Sequence, residues 1–332
     1  MKAVFLNEIG GELLVQETPT PRPGTDQVLI KVQAAGINFY ETQVRLGLYP
    51  HLPETPLILG AEVAGIVTEV GEGVTSDLIG KRVVAVLWGT NGGSGGYAEY
   101  AIATVEETII LPDNVSLEHA LAIPIQGLTA YFLLTESAPA DRCGSIFIHA
   151  AAGGIGSLAV QLAKILGVEK VIAAASTKEK LKIAKSLGAD ILINYTDENW
   201  DEQVRKATDG NGVDIVYSSG TDEIAKKSLK VLAPRGRFVV YGALDISSSA
   251  IGPEYVQQLV YNNQSLIGMF YNYYISVPGK FKKSVTYLLH LVSIGALKIL
   301  TDNRFELADA QKAHEQMLDR KSIGKVVLKV NH

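Results

Sequence analysis

The stretch HAAAGGIGSLAVQLAK, from His149 to Lys164, decides the fold of this chain. An apolar run, SIFIH (145–149), precedes its glycines, and a helical pattern follows them. Residues 151–156 match the pattern G-x-G-x-x-G, with alanine in the first glycine position. Small residues there let a pyrophosphate approach the N–H groups at the helix start, and the last glycine lets the helix pack closely on the strand. The predicted cofactor contacts of this turn are Ala152, Gly153, Gly154, Ile155 and Gly156.

The alternation of strand and helix continues after this turn. Helical segments separate five further apolar strands, which are predicted at 170–176, 191–195, 213–219, 236–243 and 265–271. Apolar strands without polar alternation are typical of a parallel sheet covered by helices on both faces. Six strands with five intervening helices form a complete dinucleotide-binding fold. This context favours a binding turn over an ordinary tight turn between packed elements.

The end of the second predicted strand indicates which dinucleotide binds. In this fold an acidic residue about 20 positions after the glycines holds the ribose 2′-hydroxyl of NAD. Here Ser176 ends the strand, and Lys178 and Lys180 follow it. A 2′-phosphate would be attracted by this set and repelled by a carboxylate. We therefore predict NADPH as the cofactor, with Ser176 and Lys180 as contacts, whereas Lys178 fits a solvated helix face better. Tyr195, at the end of the third strand, is predicted to stack beside the adenosine.

The first 120 residues have a different pattern, in which β-strands alternate with loops rich in Gly and Pro. The clearest strands are predicted at 2–6, 27–37, 62–71 and 81–87. After two helices, at 280–297 and 306–318, a last strand at 324–330 is expected to complete this β-domain. We thus predict an α/β protein with a mainly-β domain of residues 1–122 and 275–332 and a doubly wound Rossmann domain of residues 123–274.

Composition limits the classes of partner. The net charge of −5 leaves no basic footprint for nucleic acid. We find no apolar run of membrane-spanning length, and MKAVFLNEIGG lacks the features of a secretory signal. The single cysteine, Cys143, forms neither an internal disulfide nor a zinc cage. A cytoplasmic protein with no nucleic-acid or membrane partner is the expectation.

Five motifs in order resemble the zinc-free quinone oxidoreductase (zeta-crystallin-like) branch of the medium-chain dehydrogenase/reductase family, over essentially the whole chain. They are GINFYETQVRLGLYP (36–50), LGAEVAGIVTEVGEGV (59–74), GGYAEYAIA (95–103), QGLTAYFLL (126–134) and HAAAGGIGSLAVQLAK (149–164). The resemblance implies that the mainly-β domain is GroES-like. It also implies a homodimer in which the last Rossmann strand, 265–271, pairs edge to edge with its twin.

Departures from the zinc-dependent relatives are informative. Those relatives carry Cys where this chain has Asn38 and His where it has Ala61, so Glu62 alone is retained. The loop WGTNGGSGG (88–96) contains no cysteine for a structural zinc. Amide and methyl groups are poor zinc ligands, so no metal is predicted. Without a Lewis acid, the hydride acceptor has to be electron-poor already, as quinones, enones, alkenals and enoyl thioesters are.

Two residues are the predicted catalytic groups. Asn38 can donate a hydrogen bond to the substrate oxygen or to the nicotinamide ribose, although an asparagine there can also simply cap a turn. Tyr49 resembles, by its G-x-Y position, the tyrosine that donates a proton in related enoyl thioester reductases. Packing beside Pro50, with water as the proton source, is the alternative for Tyr49. The resemblance further implies cofactor contacts at Thr129, Gly242, Phe270 and Lys325.

These observations predict an NADPH-dependent reductase that transfers hydride to a quinone or another conjugated carbonyl without a metal. Reduction of an enone, alkenal or enoyl thioester at carbon is the alternative within enzymes. A non-enzymatic, crystallin-like NADPH-binding protein is the rival from another class.

Overall fold

The computed structural model describes residues 1–219, 223–242, 253–301 and 303–332. The chain forms two compact units, Met1–Leu128 with Ile275–His332, and Thr129–Tyr274. Helical turns continue through residues 117–137, and the first unit ends at Leu128 within this run. The domain division at 122 and 274 stays a prediction.

The first unit is mainly β. Its larger sheet has seven strands in the order β15-β16-β3-β5-β6-β8, with β7 paired to β3, and a smaller sheet has the order β2-β1-β4. The strands are β1 (Lys2–Leu6), β2 (Leu13–Glu17), β3 (Gln27–Ile37), β4 (Leu57–Ile58), β5 (Glu62–Val70), β6 (Arg82–Val86), β7 (Tyr100–Thr104), β8 (Thr108–Ile110), β15 (Asn303–Glu306) and β16 (Val326–Lys329). The helices are α1 (Phe39–Arg45), α2 (Trp88–Asn91), α3 (Leu117–Ala120), α11 (Lys280–Ser293) and α12 (Ala310–Leu318).

The returning C-terminal strand positions part of the candidate site. β16 pairs antiparallel with β3, and Val326 lies opposite Ile37. This pairing confirms the expectation that the last strand completes the N-terminal β-domain. It also brings the residue before β16, Lys325, next to the residue after β3, Asn38. β15, a strand of four residues that the sequence pattern did not predict, pairs parallel with β16.

The second unit is a parallel sheet in the order β11-β10-β9-β12-β13-β14. This is the order of the doubly wound dinucleotide-binding fold, so the predicted fold class is confirmed. Its strands are β9 (Ser145–Ile148), β10 (Lys170–Ala175), β11 (Ile191–Asn194), β12 (Val213–Ser218), β13 (Leu232–Tyr241) and β14 (Ser265–Met269). The helices are α4 (Leu128–Phe132), α5 (Gly154–Ile165), α6 (Lys178–Ser186), α7 (Trp200–Ala207), α8 (Glu223–Lys230), α9 (Pro253–Tyr261) and α10 (Tyr271–Ile275).

The core of this sheet explains why its strands lack polar alternation. Phe147, Ile172, Val216 and Phe238 are fully buried in one apolar cluster. Trp200 of α7 joins it and stacks on Phe147, with ring centroids 5.5 Å apart. Residue 243, predicted to end a strand, and residues 221–222, predicted to begin a helix, lie outside the described residues.

The helical run Leu117–Ser137 differs from the sequence-based expectation that no membrane-length apolar segment exists. Among the described residues this run alone has the length and mean hydropathy, 1.2, of a membrane-spanning helix. Its apolar window is 78% buried inside the protein, which is typical of a core helix. π-helical turns at Ile123–Gly127 and Leu133–Ser137 interrupt the α-helical geometry of this run.

Candidate active site

The glycine-rich turn joins β9 to α5. Ala150 adopts a left-handed conformation, with φ of 49°, and Gly153 caps the helix. A Cβ atom at Gly156 would lie 2.3 Å from the carbonyl oxygen of Ala150 and 2.8 Å from the Cα atom of Ala151. No side chain fits in that space, so the close packing expected at Gly156 is what the structure shows.

The same turn presents backbone donors without obstructing side chains. Gly153, Gly154 and Ile155 are partly exposed, whereas Ala152 and Gly156 are buried. The N–H groups in the first turn of a helix have no acceptor within the helix and carry its positive end. The turn therefore fits a pyrophosphate, and Ala152 can contribute only through its backbone.

The end of β10 lies at the same edge of the sheet. The N–H of Ala151 donates to the carbonyl of Ala174 (3.0 Å), and the N–H of Tyr195 donates to the carbonyl of Ala175 (3.3 Å). Ser176, the next residue, therefore lies between the glycine-rich turn and Tyr195. The structure thus brings together the residues predicted for the phosphate and adenosine ends of the cofactor.

α6 begins directly after this strand and carries the two lysines. The hydroxyl of Thr177 accepts a hydrogen bond from the N–H of Lys180 (3.2 Å) and caps the helix. Lys180 is partly buried, and that burial lowers the pKa of its ammonium group, whereas Lys178 is exposed. Glu179 is fully exposed, and hydrogen bonds from its own backbone and from Thr177 lower the pKa of its carboxyl group. A serine hydroxyl and a partly buried ammonium group at the strand end fit the 2′-phosphate of NADPH.

Three further predicted cofactor contacts belong to this unit. Gly242 follows β13 with φ of 82°, a conformation that favours glycine. Phe270 follows β14, and 58% of its surface is exposed. Thr129 is buried within α4. Gly242 and Phe270 lie at the carboxyl ends of parallel strands, which is the edge where doubly wound folds bind their ligands.

In the first unit, Asn38 follows β3 and caps α1. Its N–H donates to Oε2 of Glu41 (2.6 Å) in a reciprocal capping box. Its side-chain Nδ2 donates to Oε1 of Glu62 (2.9 Å), and its Oδ1 accepts from Nζ of Lys325 (3.0 Å). An ammonium group can only donate and a carboxylate can only accept, so these partners determine which way the amide faces.

Lys325 lies in the first unit, beside Asn38 and Glu62. Its side chain is fully buried, and its ammonium group donates to the carbonyl of Ile37, to Oδ1 of Asn38 and, at close range, to Oε1 of Glu62. These three bonds use all three of its donors. The lysine is therefore the internal partner of Glu62, and the cofactor contact that the resemblance implied for it stays a prediction. Glu62, which the sequence presented as an isolated remnant, is half of a buried ion pair.

A second buried group, absent from the sequence-based site, continues from the capping box. Glu41 accepts from the N–H of Ala61 (2.9 Å) and from the hydroxyl of Tyr97 (2.9 Å), and this hydroxyl lies 3.1 Å from Nε2 of His314. Burial raises the pKa of Glu41 to about 7, although the N–H groups of Asn38 and Ala61 and the charge of Lys325 oppose that rise. Burial lowers the pKa of His314 to about 3, so its imidazole is neutral. No local motif signals this group, because its members meet only in three dimensions.

Tyr49 is half-buried beside other aromatic rings. Its ring centroid lies 5.6 Å from that of Tyr40. The hydroxyl of Tyr40 donates to the carbonyl of Gly93 (3.2 Å), and its ring centroid lies 5.7 Å from that of Trp88. Burial raises the pKa of the Tyr49 phenol, which therefore remains protonated at neutral pH. Tyr49 thus has the protonation state that a general acid needs, and its ring packs on that of Tyr40.

The residues at this position do not fit a zinc ion. Ala61 offers no ligand, Oδ1 of Asn38 already accepts a hydrogen bond, and the Lys325 ammonium group would repel a cation. Within residues 1–219, 223–242, 253–301 and 303–332, no three His, Cys, Asp or Glu side chains lie close enough to hold a metal. The partly buried Cys143 thiol donates to the carbonyl of Ala140, and this partial burial raises its pKa to about 11.

Comparison with protein families finds two matches. Residues 24–113 match the alcohol dehydrogenase GroES-like domain, and residues 154–289 match the family described as zinc-binding dehydrogenase. The second family is named for zinc, but this chain lacks the zinc ligands, as the donor set around Asn38 shows.

Comparison with individual proteins finds similarity along the whole chain. It is 34% identical to a quinone oxidoreductase of Pseudomonas aeruginosa, over 96% of each chain. It is also 34% identical to a 2-haloacrylate reductase of a Burkholderia species, over 99% of this chain and 98% of that protein. Its structure is similar to that of Escherichia coli quinone oxidoreductase complexed with NADPH, with a TM-score of 0.90, 31% identity and coverage of 99% and 100% of the two chains.

Proposed function

The chain belongs to the zinc-free quinone oxidoreductase branch of the medium-chain dehydrogenase/reductase family, and we propose that it reduces a quinone with Asn38 and Tyr49 acting on the acceptor. It is an enzyme, an NADPH-dependent reductase of the quinone or enone type. Within the structure, this conclusion depends on what lies at the carboxyl edge of the sheet in the second unit. There, a glycine-rich turn that admits no side chain at Gly156 lies beside a strand end with a hydroxyl and a partly buried ammonium group.

When bound, NADPH supplies a hydride ion. The acceptor oxygen then gains negative charge, which a donor placed at that oxygen stabilises. A primary amide has two N–H bonds, and Asn38 donates one of them to Glu62. Within the described residues no second acceptor is recorded for Nδ2, so its other N–H is available for the acceptor oxygen.

The reaction also needs a proton, because a quinone takes up one hydride and one proton to become a hydroquinone. Tyr49 is the proposed donor, since its phenol is protonated at neutral pH. The phenolate left behind regains its proton from water. For a quinone the proton goes to oxygen, where water can also deliver it, so Tyr49 matters most when the proton has to reach carbon.

Reduction of a carbon–carbon double bond conjugated to a carbonyl is the second candidate. The similarity to a 2-haloacrylate reductase over 99% of the chain favours it. Hydride then adds to the β-carbon, the enolate oxygen accepts a hydrogen bond, and a proton goes to the α-carbon. An enoyl thioester reacts in the same way.

One assay separates these candidates. NADPH oxidation is followed by its absorbance with a quinone, an enone, a halogenated acrylate and an enoyl-CoA, each at several concentrations. We expect the highest kcat/KM with the quinone, and a lower KM for NADPH than for NADH. A higher kcat/KM with the enone or the acrylate would assign reduction at carbon. NADPH binding without oxidation by any acceptor would contradict a reductase and favour the non-enzymatic alternative.

We also propose a homodimer formed through the outer edge of the second unit. Among the strands that the structure describes, β14 pairs only with β13, and strands with an open edge recruit another strand. Large apolar side chains there are exposed, at 61% for Val256, 67% for Val260 and 46% for Leu266. Light scattering should give twice the chain mass. The charged substitutions Val260→Glu and Leu266→Lys should give the monomer, and a monomeric wild type would refute the proposal.

A cytoplasmic location is proposed as well. The reduced, unreactive thiol of Cys143 is compatible with a reducing compartment. Cell fractionation with an antibody against the native protein tests this, and recovery with membranes or in the secreted fraction would contradict it.

A further inference from the structure

Lys325 and Glu62 form an ion pair that is completely closed off from water. Both side chains have 0% exposed surface, and Asn38 beside them is 4% exposed. Placing two charges in a protein interior carries a large desolvation cost, which their attraction offsets only when the remaining polar atoms are also satisfied. Here Oε2 of Glu62 is buried without a recorded partner among the described residues. The pair is thus poorly optimised for stability alone.

The backbone around the pair is shaped to contain it. Gly36, two residues before Asn38, has an ordinary extended strand position, yet a Cβ atom there would lie 2.5 Å from Oε1 of Glu62 and 2.7 Å from Cε of Lys325. Glycine at this position is therefore required by the two side chains and not by its own dihedral angles. Lys325 reaches the site because β16 pairs with β3.

The contacts of the pair converge on the Asn38 amide. Lys325 donates to its oxygen and Glu62 accepts from its nitrogen. If the amide turned over, its NH2 group would face the Lys325 ammonium group and its oxygen would face the Glu62 carboxylate, and neither pair can form a hydrogen bond. The ammonium group at the oxygen and the carboxylate at the nitrogen polarise the remaining N–H in opposite senses, so what the pair supplies to Asn38 is its orientation.

We propose that the Lys325–Glu62 pair, in the space left by Gly36, fixes the Asn38 amide in one orientation, with its second N–H directed toward the acceptor oxygen. The two charged side chains are positioning residues, since they act through Asn38 and do not touch the acceptor. This inference rests on the proposed role of Asn38 in the reductase. It goes further by assigning to a buried ion pair the orientation of the donor that stands where the metal-dependent relatives have a zinc ligand.

The first test removes both charges together, because removing one would leave the other buried and unpaired. In the double variant Lys325→Met/Glu62→Gln, the amide at position 62 can donate or accept, so Asn38 is free to turn over. We expect kcat to fall roughly tenfold with little change in the KM of the acceptor. Binding of 2′,5′-ADP, which engages only the second unit, and the melting temperature of the cofactor-free protein show whether the variant is folded.

A double-mutant cycle separates positioning from a merely structural role. Asn38→Ala alone should lower kcat by about 100-fold, the typical loss for one donor to a developing oxyanion. If the pair acts through Asn38, the triple variant should be no slower than Asn38→Ala. If the losses multiply to about 1,000-fold, the pair does not act through Asn38 and the proposal is wrong.

Gly36→Ala tests the same idea with both charges retained. Its methyl group would displace Glu62 and Lys325, so kcat should fall as it does in the double variant. Gly144→Ala is the matched control, since a Cβ there meets only Oδ2 of Asp214, at an ordinary 3.5 Å. Full kcat in a folded Gly36→Ala protein would overturn the proposal.

A measurement on the cofactor-free protein keeps this test independent of the proposed function. The side-chain NH2 signals of Asn38 in a ¹H–¹⁵N spectrum are those missing from Asn38→Ala. In the wild type the proton bonded to Glu62 should exchange with water more slowly than the other, and in Lys325→Met/Glu62→Gln this difference should disappear. Equal exchange rates in the wild type would refute the fixed orientation. If the fixed orientation is found but no acceptor is reduced, the proposed function fails and the positioning of Asn38 stands.

Discussion

Replacing Lys180 by alanine should weaken the binding of NADPH by roughly tenfold and leave the binding of NADH unchanged. Lys180 lies in the first turn of α6, and burial of part of its side chain already lowers the pKa of the ammonium group. At a separation of about 4 Å, a unit charge interacts by about 1 kcal/mol in water and about 4 kcal/mol at an effective dielectric constant of 20. Because Lys180 is partly exposed, we take a value near the lower end, about 1.4 kcal/mol, which corresponds to a factor of ten.

The assay is a fluorescence titration of the wild type and the variant with NADPH and with NADH, supported by the KM of each at a fixed quinone concentration. Lys178→Ala is the matched control, because this lysine lies on the same helix but is exposed. The NADPH effect should shrink as salt is raised, since ions screen a partly exposed pair. An unchanged Kd for NADPH, or equal weakening of NADPH and NADH, would show that Lys180 does not contact the 2′-phosphate.

Three other substitutions test separate parts of the structure. Tyr49→Phe should lower kcat by about 100-fold with an enone but little with a quinone, and equal rates with the enone would assign the proton to water. Gly156→Ala should lower the free energy of unfolding by about 3 kcal/mol, because the added carbon overlaps the carbonyl of Ala150, and a melting temperature like that of Gly144→Ala would contradict the close packing. Burial raises the pKa of Glu41 from 4.5 to about 7, so the folded state holds the proton more tightly and the stability from this group is lost as pH rises through that interval. Relative to Glu41→Gln, the wild type should therefore lose about 3 kcal/mol of unfolding free energy between pH 4.5 and 7.5 in denaturant titrations, and parallel curves would refute the raised pKa.

Much of the second unit follows from local pattern. Each strand and the helix after it are specified by neighbouring residues, and the order of strands in a doubly wound sheet follows from right-handed crossovers. The end of β10 is predictable for the same reason, because Ser176 and Lys180 are close in the chain as well as in space. The start of β13 is harder to predict from sequence. The strand begins at Leu232, although Pro234 and Gly236 favour a turn there and the predicted strand began at residue 236.

In the first unit, local sequence patterns predict less of the site. They identified Asn38 and Tyr49 as candidates but not the buried residues that contact Asn38 and Glu41. His314 reaches Tyr97 across 217 positions, and Tyr97 reaches Glu41 across 56. Residues this far apart in the chain do not form a sequence motif, so neither contact could be predicted from the sequence.

The sequence by itself determined the fold class, the glycine-rich turn, the choice of NADPH and the loss of the zinc ligands. Each of these can be recognised from local patterns or from the residue type at single positions, without knowing which distant residues meet. Tertiary structure alone decided that the buried partners of Lys325 are Glu62 and Asn38. Lys325 and Glu62 are 263 positions apart, and only the pairing of β16 with β3 brings them together. Once they are enclosed, the absence of water leaves the lysine no partners except those the fold provides.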